Sequence, residues 1–255
     1  MVVRHFGIEL GDMLADTLSQ LRGAYAGESC LVFGNGPSLT LEIIEEIQKS
    51  IKGMFSFACN GFCMVFEETK YRPNAVCMSN HYGLKSYLHL YSPETLKFIK
   101  AGWEEVIDYV PERIYSLPFS CSHEGGKGSQ AKHNELFIGE GNFSRDPQTR
   151  NYCGDTVVLD FCVPVAYYMG FKQIFLLGVD CDYTKGYFHP DMIQHSPVGM
   201  LSMSSGDDSI AIASYRYTYE YLRSHGRYIY LITPSPKLSF IPTIPLQDVI
   251  RSRVI

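Results

Sequence analysis

Residues 30–39 have the sequence Cys-Leu-Val-Phe-Gly-Asn-Gly-Pro-Ser-Leu, and the predicted fold is built outward from them. Residues 30–33 are apolar and β-forming, which predicts a buried strand. Gly34, Asn35 and Gly36 follow, and two glycines in such a loop let backbone N–H groups come close to a ligand. Pro37 suits the first position of a helix whose apolar residues recur at helical spacing, namely Leu39, Ile43, Ile44, Ile47 and Ile51.

A strand, a glycine loop and a helix N-terminus in this order are typical of a phosphate-binding site, because free N–H groups and the helix dipole favour an anion. On this interpretation a valine at Gly36 would block the ligand and leave the fold intact. The full dinucleotide-binding fingerprint is not met. An ordinary strand-to-helix turn that contains glycines is therefore an equally good interpretation.

The composition indicates a globular protein that does not bind nucleic acid. The chain has 255 residues, of which 45% are hydrophobic and 19% charged, and its net charge is -5 without a long basic run. None of the eight cysteines forms a Cys-x-x-Cys pair, which predicts reduced core thiols. We find no signal-peptide pattern and no membrane-spanning run, so we expect a cytoplasmic protein. Attachment to the inner face of the membrane and oligomer formation are both compatible with the sequence.

Polar side chains follow two further predicted strands. Asn60 follows a strand over residues 54–58, and Ser79 and Asn80 follow a strand over residues 75–78. Because the carboxyl ends of parallel strands share one edge of a sheet, we expect these side chains to lie with Asn35 in one polar cleft. Taken singly, each asparagine is equally typical of a turn.

The remaining elements alternate between helix and strand. Helices are predicted over residues 8–24, 92–101, 155–169 and 210–224, and strands over residues 113–117, 173–177 and 228–232. Asp155 or Thr156 is expected to cap the third of these helices, and Pro164 to kink it. The alternation predicts an α/β fold with a doubly wound, mostly parallel, Rossmann-like sheet. We expect one nucleotide-binding domain over residues 1–255 that begins with a helical lead-in over residues 1–27.

The segment after the strand over residues 173–177 holds the acidic and histidine candidates. Asp180 and Asp182 are typical of a ligand contact, of a metal site or of a loop cap. Residues 184–208 have no clear period, which predicts a lid insertion over the sheet edge. His189 and His195 lie in it and are the best-placed candidates for a general base, because the pKa of histidine suits proton transfer near neutrality. A solvent-exposed histidine is an equally good interpretation of either.

Two segments resemble bacterial sialyltransferases that use CMP-sialic acid and the related 6-hydroxymethylpterin diphosphokinase-like (MptE-like) proteins. Gly-Asn-Gly-Pro-Ser-Leu at residues 34–39 resembles their opening motif, and residues 169–183 resemble a later helix–strand–Gly-x-Asp segment. Weaker similarity extends over residues 29–250. The resemblance implies that the loop and the end of the second strand hold a nucleotide, which assigns this role to Gly34, Asn35, Gly36, Ser38 and Asn60.

The resemblance also implies roles for residues farther along the chain. Tyr183 and Tyr187 would steady the departing phosphate, and Asp155 and Thr156 stand near a Thr-Ser-Gly motif of the sialyltransferases. The catalytic histidine of that family lies shortly before the helix that corresponds to residues 210–224, where this chain has none. His195 is therefore the first choice as the base, and His189 the second.

Three functions fit these features. The first is a glycosyltransferase of surface glycan biosynthesis that moves a sugar from a nucleotide-activated donor, CMP-linked if it is sialyltransferase-like, to a hydroxyl group of a glycan acceptor without a metal or cofactor. Asp180 would then be a structural or sugar-contacting carboxylate. The second is an ATP-dependent diphosphokinase-like transferase with Mg²⁺ held by Asp180 and Asp182. The third is a nucleotide-binding protein without catalysis. The first is favoured, because no Walker lysine follows the loop and the 18 tyrosines suit a sugar.

Overall fold

The computed structural model describes residues 18–78, 81–102, 107, 111–120, 143–149, 151–152, 156–182, 186–193 and 209–252. The strands are β1 (Ser29–Phe33), β2 (Phe55–Cys59), β3 (Ala75–Met78), β4 (Leu96–Lys100), β5 (Ile114–Leu117), β6 (Phe119–Ser120), β7 (Asn151–Tyr152), β8 (Gln173–Leu177) and β9 (Tyr228–Leu231). The α-helices are α1 (Leu41–Ser50), α2 (His81–Tyr87), α3 (Val163–Tyr168), α4 (Ser209–Ser224) and α5 (Leu246–Arg251). Short 3₁₀ segments cover Asn60–Phe66, Leu88–Leu90, Pro190–Ile193 and Pro236–Leu238.

Seven of the strands form one parallel sheet in the order β5-β4-β3-β2-β1-β8-β9, and β6 pairs with β7 alone. From β1 the chain builds outward through β2 to β5, then returns to the other side of β1 to add β8 and β9. At the end of β1, Phe33 is in register with Ala58 of β2 on one side and with Leu177 of β8 on the other. The boundary between β1 and β8 is thus a topological switch point, where open α/β sheets bind their ligands beyond the carboxyl ends of the strands.

Both faces of the sheet are covered, as the doubly wound prediction requires. Residues such as Val32 and Phe57 face one apolar cluster with α3 and α4, whereas Phe33 and Leu177 face another with α1 and α5. A third cluster packs α2 on the distal part of this second face. The central strands are buried almost end to end, which is why their sequences are near-continuously apolar. The α/β class and the parallel sheet are confirmed.

The helix predicted over residues 92–101 is wrong. Pro93 and Glu94 form a turn, and the chain continues as β4 between β3 and β5. The Lys97 ammonium group donates to the carbonyls of Ser92, Thr95 and Glu112 at 2.8, 2.9 and 3.2 Å, so that a buried lysine is satisfied at the amino end of the strand. Tertiary pairing here overrides a local helix-start signal.

The helix predicted over residues 155–169 differs in its first turns. The Thr156 hydroxyl accepts from the Leu159 N–H at 3.3 Å, which confirms one of the two predicted caps. Val158–Cys162 is a π-helical turn, and α3 begins only at Val163. Pro164 has no N–H to offer the carbonyl of Asp160, and the wider π-helical turn lies directly before the helix that contains this proline.

The lead-in helix does not reach Ala24. Leu18–Gln20 are helical and residues 21–27 form successive turns, while residues 1–17 lie outside the described residues. Gly23 and Tyr25 donate their N–H groups to the carbonyls of Tyr168 and Met169, at 3.0 and 2.8 Å. These bonds attach the segment to the end of α3. The carbonyls there accept hydrogen bonds from N–H groups that would bond within the segment itself if it were a free helix.

The six cysteines within the described residues are buried free thiols, as predicted. The sulfur atoms of Cys59 and Cys162 are 3.5 Å apart between the end of β2 and the π-helical turn. Burial raises the pKa of both thiols well above its usual value, which keeps them protonated. Cys121 and Cys153 lie outside the described residues.

Candidate functional site

Three loops that leave the carboxyl ends of β1, β8 and β9 are bonded together at the switch point. The N–H groups of Gly34 and Gly36 each donate at 2.8 Å to the carbonyls of Leu177 and Gly178. The Gly178 N–H donates at 2.9 Å to the hydroxyl of Thr233. We refer to residues 34–38, 178–180, Thr233 and Ser235 as the switch-point joint.

The glycines of the joint are required because the loops touch one another. A β-carbon on Gly36 would overlap the Asp180 carboxylate and lie 2.7 Å from the Gly178 carbonyl oxygen, and one on Gly34 would overlap that same oxygen. Gly178 itself has a φ of +63°, which favours glycine. The space beside Gly36 thus belongs to Asp180, and the expectation that valine there would block a ligand and leave the fold intact is wrong.

Asp180 joins the loops through its side chain. Its Oδ2 atom accepts from the Ser38 N–H at 3.1 Å and from the Ser38 hydroxyl at 2.9 Å. Its own carbonyl accepts from the Ser235 hydroxyl at 2.9 Å. An internal carboxylate therefore occupies the N–H group of the glycine loop that a phosphate would otherwise engage, and Asp180 acts here as a loop clamp.

The helix after the loop starts later than predicted. Its N-cap is Thr40, whose hydroxyl accepts from the Ile43 N–H at 3.3 Å, so that Pro37 lies outside the helix. The Thr40 hydroxyl, and then the backbone N–H of Glu42, lower the pKa of the Glu42 carboxyl group. The Glu42 carboxylate thus supplies the negative charge that the N-terminus of this helix favours.

Asn35 connects the joint to the neighbouring strand. Its Nδ2 atom donates to the Cys59 carbonyl at 3.1 Å, and its backbone carbonyl accepts from the Phe188 N–H at 3.0 Å. Because a carbonyl can only accept, the side-chain amide is fixed in this orientation. Its Oδ1 atom is buried and has no hydrogen-bond partner among the described residues. A buried acceptor of this kind needs a donor from outside the described residues, which makes Oδ1 a candidate contact point for a ligand.

Asn60 comes next after the carbonyl that Asn35 binds. It has a φ of +41°, which asparagine tolerates better than most residues, and its carbonyl accepts from the Tyr91 hydroxyl at 2.9 Å. Asn35 and Asn60 therefore lie at the same edge of the sheet, as predicted. Ser79 and Asn80, expected in the same cleft, lie outside the described residues.

The described part of the predicted lid, residues 186–193, packs against residues 60–66. The Phe188 ring lies 6.2 Å from that of Phe62, and Tyr187 is close enough to Tyr87 to affect its ionisation. Burial raises the pKa of the Tyr187 phenol. A phenol that stays protonated is a hydrogen-bond donor, as the implied role toward a departing phosphate requires. Residues 183–185 and 194–208, which include Tyr183 and His195, are not described.

His189 is fixed by two hydrogen bonds. Its Nε2 atom lies 2.9 Å from Oε1 of Glu68, and its Nδ1 atom accepts from the Asp191 N–H at 3.3 Å. The second bond assigns the proton of the neutral ring to Nε2, which donates it to Glu68. Neither nitrogen then has a lone pair for a substrate hydroxyl. In this arrangement His189 holds a turn.

Thr156 is not brought to the joint. Its hydroxyl contacts the Leu159 N–H and, at 3.3 Å, the Tyr215 hydroxyl of α4. Asp155 lies outside the described residues.

Sequence reasoning missed Thr233, Ser235 and Glu68. The polar sequence Thr-Pro-Ser-Pro after β9 was a usable signal for the first two, because β9 ends at the same sheet edge as β1 and β8. Nothing local marks Glu68.

Two general properties of the described residues complete the site. They contain no group of three or more His, Cys, Asp or Glu side chains arranged to hold a metal ion. No helix within the described ranges is both long enough and apolar enough to cross a membrane.

The fold is that of a doubly wound α/β protein, and the joint lies at its switch point, where such sheets bind their ligands. The sequence matches the family model "6-hydroxymethylpterin diphosphokinase MptE-like" over residues 4–186, and the chain belongs to this MptE-like family. No curated protein matches it significantly.

Two solved structures are similar. The MAf glycosyltransferase from Magnetospirillum magneticum AMB-1 is 12% identical with a TM-score of 0.50, over 94% of this chain and 41% of that one, so this chain spans less than half of its length. The sialyltransferase CstII from Campylobacter jejuni, solved in complex with a substrate analogue, cytidine-5'-monophosphate, is 17% identical with a TM-score of 0.43, over 86% of each chain. At these identities the MAf comparison establishes a shared fold.

Proposed function

We propose that this protein is a transferase that takes a sugar from a nucleotide-activated donor and passes it to a hydroxyl group of a glycan acceptor. The observation that carries the proposal is the buried Oδ1 atom of Asn35 at the switch point, which has no partner in the part of the chain that the structure describes. A ribose hydroxyl or an exocyclic amino group of a base would supply the donor that this atom lacks. That the fold also carries a glycosyltransferase, MAf, is support by analogy.

The roles of the chain's own residues follow from their chemistry. Asn35 and Asn60 would hold the nucleoside, with Gly34, Gly36 and Ser38 shaping the loop around it. Ser79 and Asn80 would extend the polar wall. Tyr187, and Tyr183 before it, would donate hydrogen bonds to the leaving phosphate, where a phenol with a raised pKa stays protonated.

The acceptor hydroxyl needs a base before it can attack. His195 is our first choice, because both ring nitrogens of His189 are engaged within the chain. Loss of turnover with retained nucleotide affinity is the expected result for His195→Ala. Full turnover in that variant would remove His195 from the mechanism.

The diphosphokinase activity is the second candidate, and the family match over residues 4–186 favours it. It would need Mg²⁺ on carboxylates such as Asp180 and Asp182. Asp180 would have to serve the ion while its Oδ2 atom accepts two hydrogen bonds from Ser38. We therefore rank it second and propose turnover of the sugar donor without a divalent metal.

A thermal-shift panel of CMP, UDP, GDP and ATP, each with and without Mg²⁺, tests the proposal. Stabilisation by one of the first three nucleotides without Mg²⁺, followed by release of that nucleotide from its sugar conjugate in EDTA, is expected. Stabilisation by ATP with Mg²⁺ alone, and activity that EDTA abolishes, would replace the proposal by the diphosphokinase.

We also propose a cellular setting: the protein is a cytoplasmic enzyme of surface glycan synthesis that works at the inner face of the membrane.

A further inference from the structure

A groove with a volume of about 400 Å³ lies on the outer side of the glycine loop. Pro37, Phe188 and Pro190 supply apolar walls, and Glu42 and Glu68 supply carboxylates. We refer to it as the outer groove. Phe188 belongs to both regions, since its N–H binds the Asn35 carbonyl of the switch-point joint. A molecule in the outer groove would therefore lie next to a nucleotide at the joint.

The charge of the outer groove argues against a phosphate. Its lining residues, all within the described part of the chain, include two carboxylates and no lysine or arginine. Glu42 is kept ionised by the Thr40 hydroxyl and its own backbone N–H, which lower the pKa of its carboxyl group. An anion in this groove would meet like charge with no counter-ion in the lining.

Glu68 is a preorganised hydrogen-bond acceptor in the outer groove. Its Oε1 atom is held at 2.9 Å by Nε2 of His189, and the Asp191 N–H fixes the other ring nitrogen. The Glu68 side chain is still 43% exposed, and its Oε2 atom has no partner among the described residues. An oriented carboxylate oxygen beside an aromatic ring and prolines matches a sugar, whose hydroxyls donate hydrogen bonds and whose C–H faces contact apolar side chains.

We propose that the outer groove is the acceptor subsite and that it takes a neutral or amino-bearing sugar in preference to an anionic one. This inference rests on the proposed function, because it names the acceptor of that same transfer. Glu68 is the residue that sets the charge preference. Its effect is direct, through hydrogen bonds to the acceptor, and His189 acts by positioning it.

Three probes with the same ring test the preference: methyl α-D-glucopyranoside, methyl α-D-glucosaminide and methyl α-D-glucuronide. Their affinities for the full chain are measured by ligand-observed NMR at low salt. We expect the amino sugar to bind about fivefold more tightly than the neutral one and the uronide about fivefold more weakly, as expected for one carboxylate at contact distance in water. Glu68→Gln should remove most of this spread.

Glu67→Gln is the matched control, because Glu67 is the exposed neighbour of Glu68 and does not line the groove. It should leave the order of the probes unchanged. Equal binding of the three probes, or equal effects of the two variants, would overturn the inference. So would absence of sugar binding in a protein that the nucleotide panel stabilises, and the proposed function would then stand. If no nucleotide stabilises the protein, the proposed function fails separately.

Discussion

The switch-point joint and the outer groove lie side by side and are built in opposite ways. In the joint, loops from three strands are so close that two glycines have no space for a β-carbon, and the N–H groups of Gly34, Gly36 and Ser38 are bonded within the chain. In the groove, partly exposed side chains surround open space, and one hydrogen bond between His189 and Glu68 fixes the wall.

The difference shows what the glycine motif does in this protein. It lets the loops that follow β1 and β8 lie in direct contact, and Asp180 accepts the Ser38 hydrogen bonds at the position where a phosphate was expected. The proposed ligand recognition then falls to side chains at the margin of the joint, such as Asn35, whose Oδ1 atom has no partner among the described residues. A glycine loop after a strand is thus not by itself evidence that its backbone holds a phosphate.

The largest expected effect is that of Gly36→Ala. Its β-carbon would overlap Asp180, and overpacking of a rigid joint should lower the free energy of unfolding by about 3 kcal/mol. Gly53→Ala is the control, since that site has open space and only its φ of +77° costs about 1 kcal/mol. Both are measured by urea unfolding. Equal losses in the two variants would show that the joint can relax.

The clamp itself comes next. Asp180→Ala removes the acceptor of two hydrogen bonds from Ser38 and should cost about 2 kcal/mol of unfolding free energy. Ser38→Ala tests the coupling in a double-mutant cycle, and we expect an interaction energy of about 1 kcal/mol. Additive losses would mean that the two side chains stabilise the joint independently.

The parts of the fold that the sequence predicted are those that depend on local pattern and burial. The strand over residues 173–177 was predicted with its observed bounds, and the parallel sheet followed from the alternation of elements. β4 was missed, because Pro93 at the start and Gly102 after the end of residues 92–101 have the signature of a helix. Its lysines are buried, and Lys97 bonds to three carbonyls that only the folded sheet brings together.

The site was predictable by location but not by partners. Asn35 and Asn60 were placed at one edge because parallel strands end together. The contact of Asp180 with Ser38 spans 142 residues, and that of His189 with Glu68 spans 121. No local sequence pattern predicts contacts between residues so far apart in the chain. A metal ligand was therefore as good an interpretation of Asp180 as a loop clamp, and a general base was as good an interpretation of His189 as a residue that holds a turn.

A smaller expected effect is the pH dependence of the free energy of unfolding that arises from Tyr71, and it tests the packing between the switch-point joint and the outer groove. Tyr71 packs on Phe33 and Phe62, with ring centroids 5.2 and 6.2 Å away, and burial raises the pKa of its phenol to about 12. A phenol with a raised pKa stabilises the fold fully below its unfolded pKa of about 10 and loses this contribution as the pH rises toward 12. At pH 11 the loss should be about 1.4 kcal/mol.

We therefore expect the free energy of unfolding of Tyr71→Phe to fall less steeply with pH than that of the parent protein between pH 9 and about 11.5, because this range covers most of the interval between the unfolded and the folded pKa of Tyr71. Urea unfolding at each pH is the measurement. Tyr228→Phe is the control, because Tyr228 is 39% exposed. A parallel decline of Tyr71→Phe and the parent would contradict the buried position of the Tyr71 hydroxyl.

The smallest expected effect concerns the wall of the outer groove. His189→Ala removes the hydrogen bond to Glu68 and the bond from the Asp191 N–H, and should cost about 0.5–1 kcal/mol. The loss should be local, because the bond to Glu68 holds residues 186–193 against residues 60–68 and its loss leaves the joint intact. Hydrogen exchange is the direct measurement: the Phe188 N–H, which binds the Asn35 carbonyl, should exchange about two- to fivefold faster.

The amide of Gly36, inside the joint, should keep its exchange rate in His189→Ala, and Glu67→Gln should change the exchange of neither amide. Unchanged exchange at Phe188 would mean that the aromatic contact with Phe62 alone holds the wall, and acceleration at both amides would mean that joint and groove open as one unit.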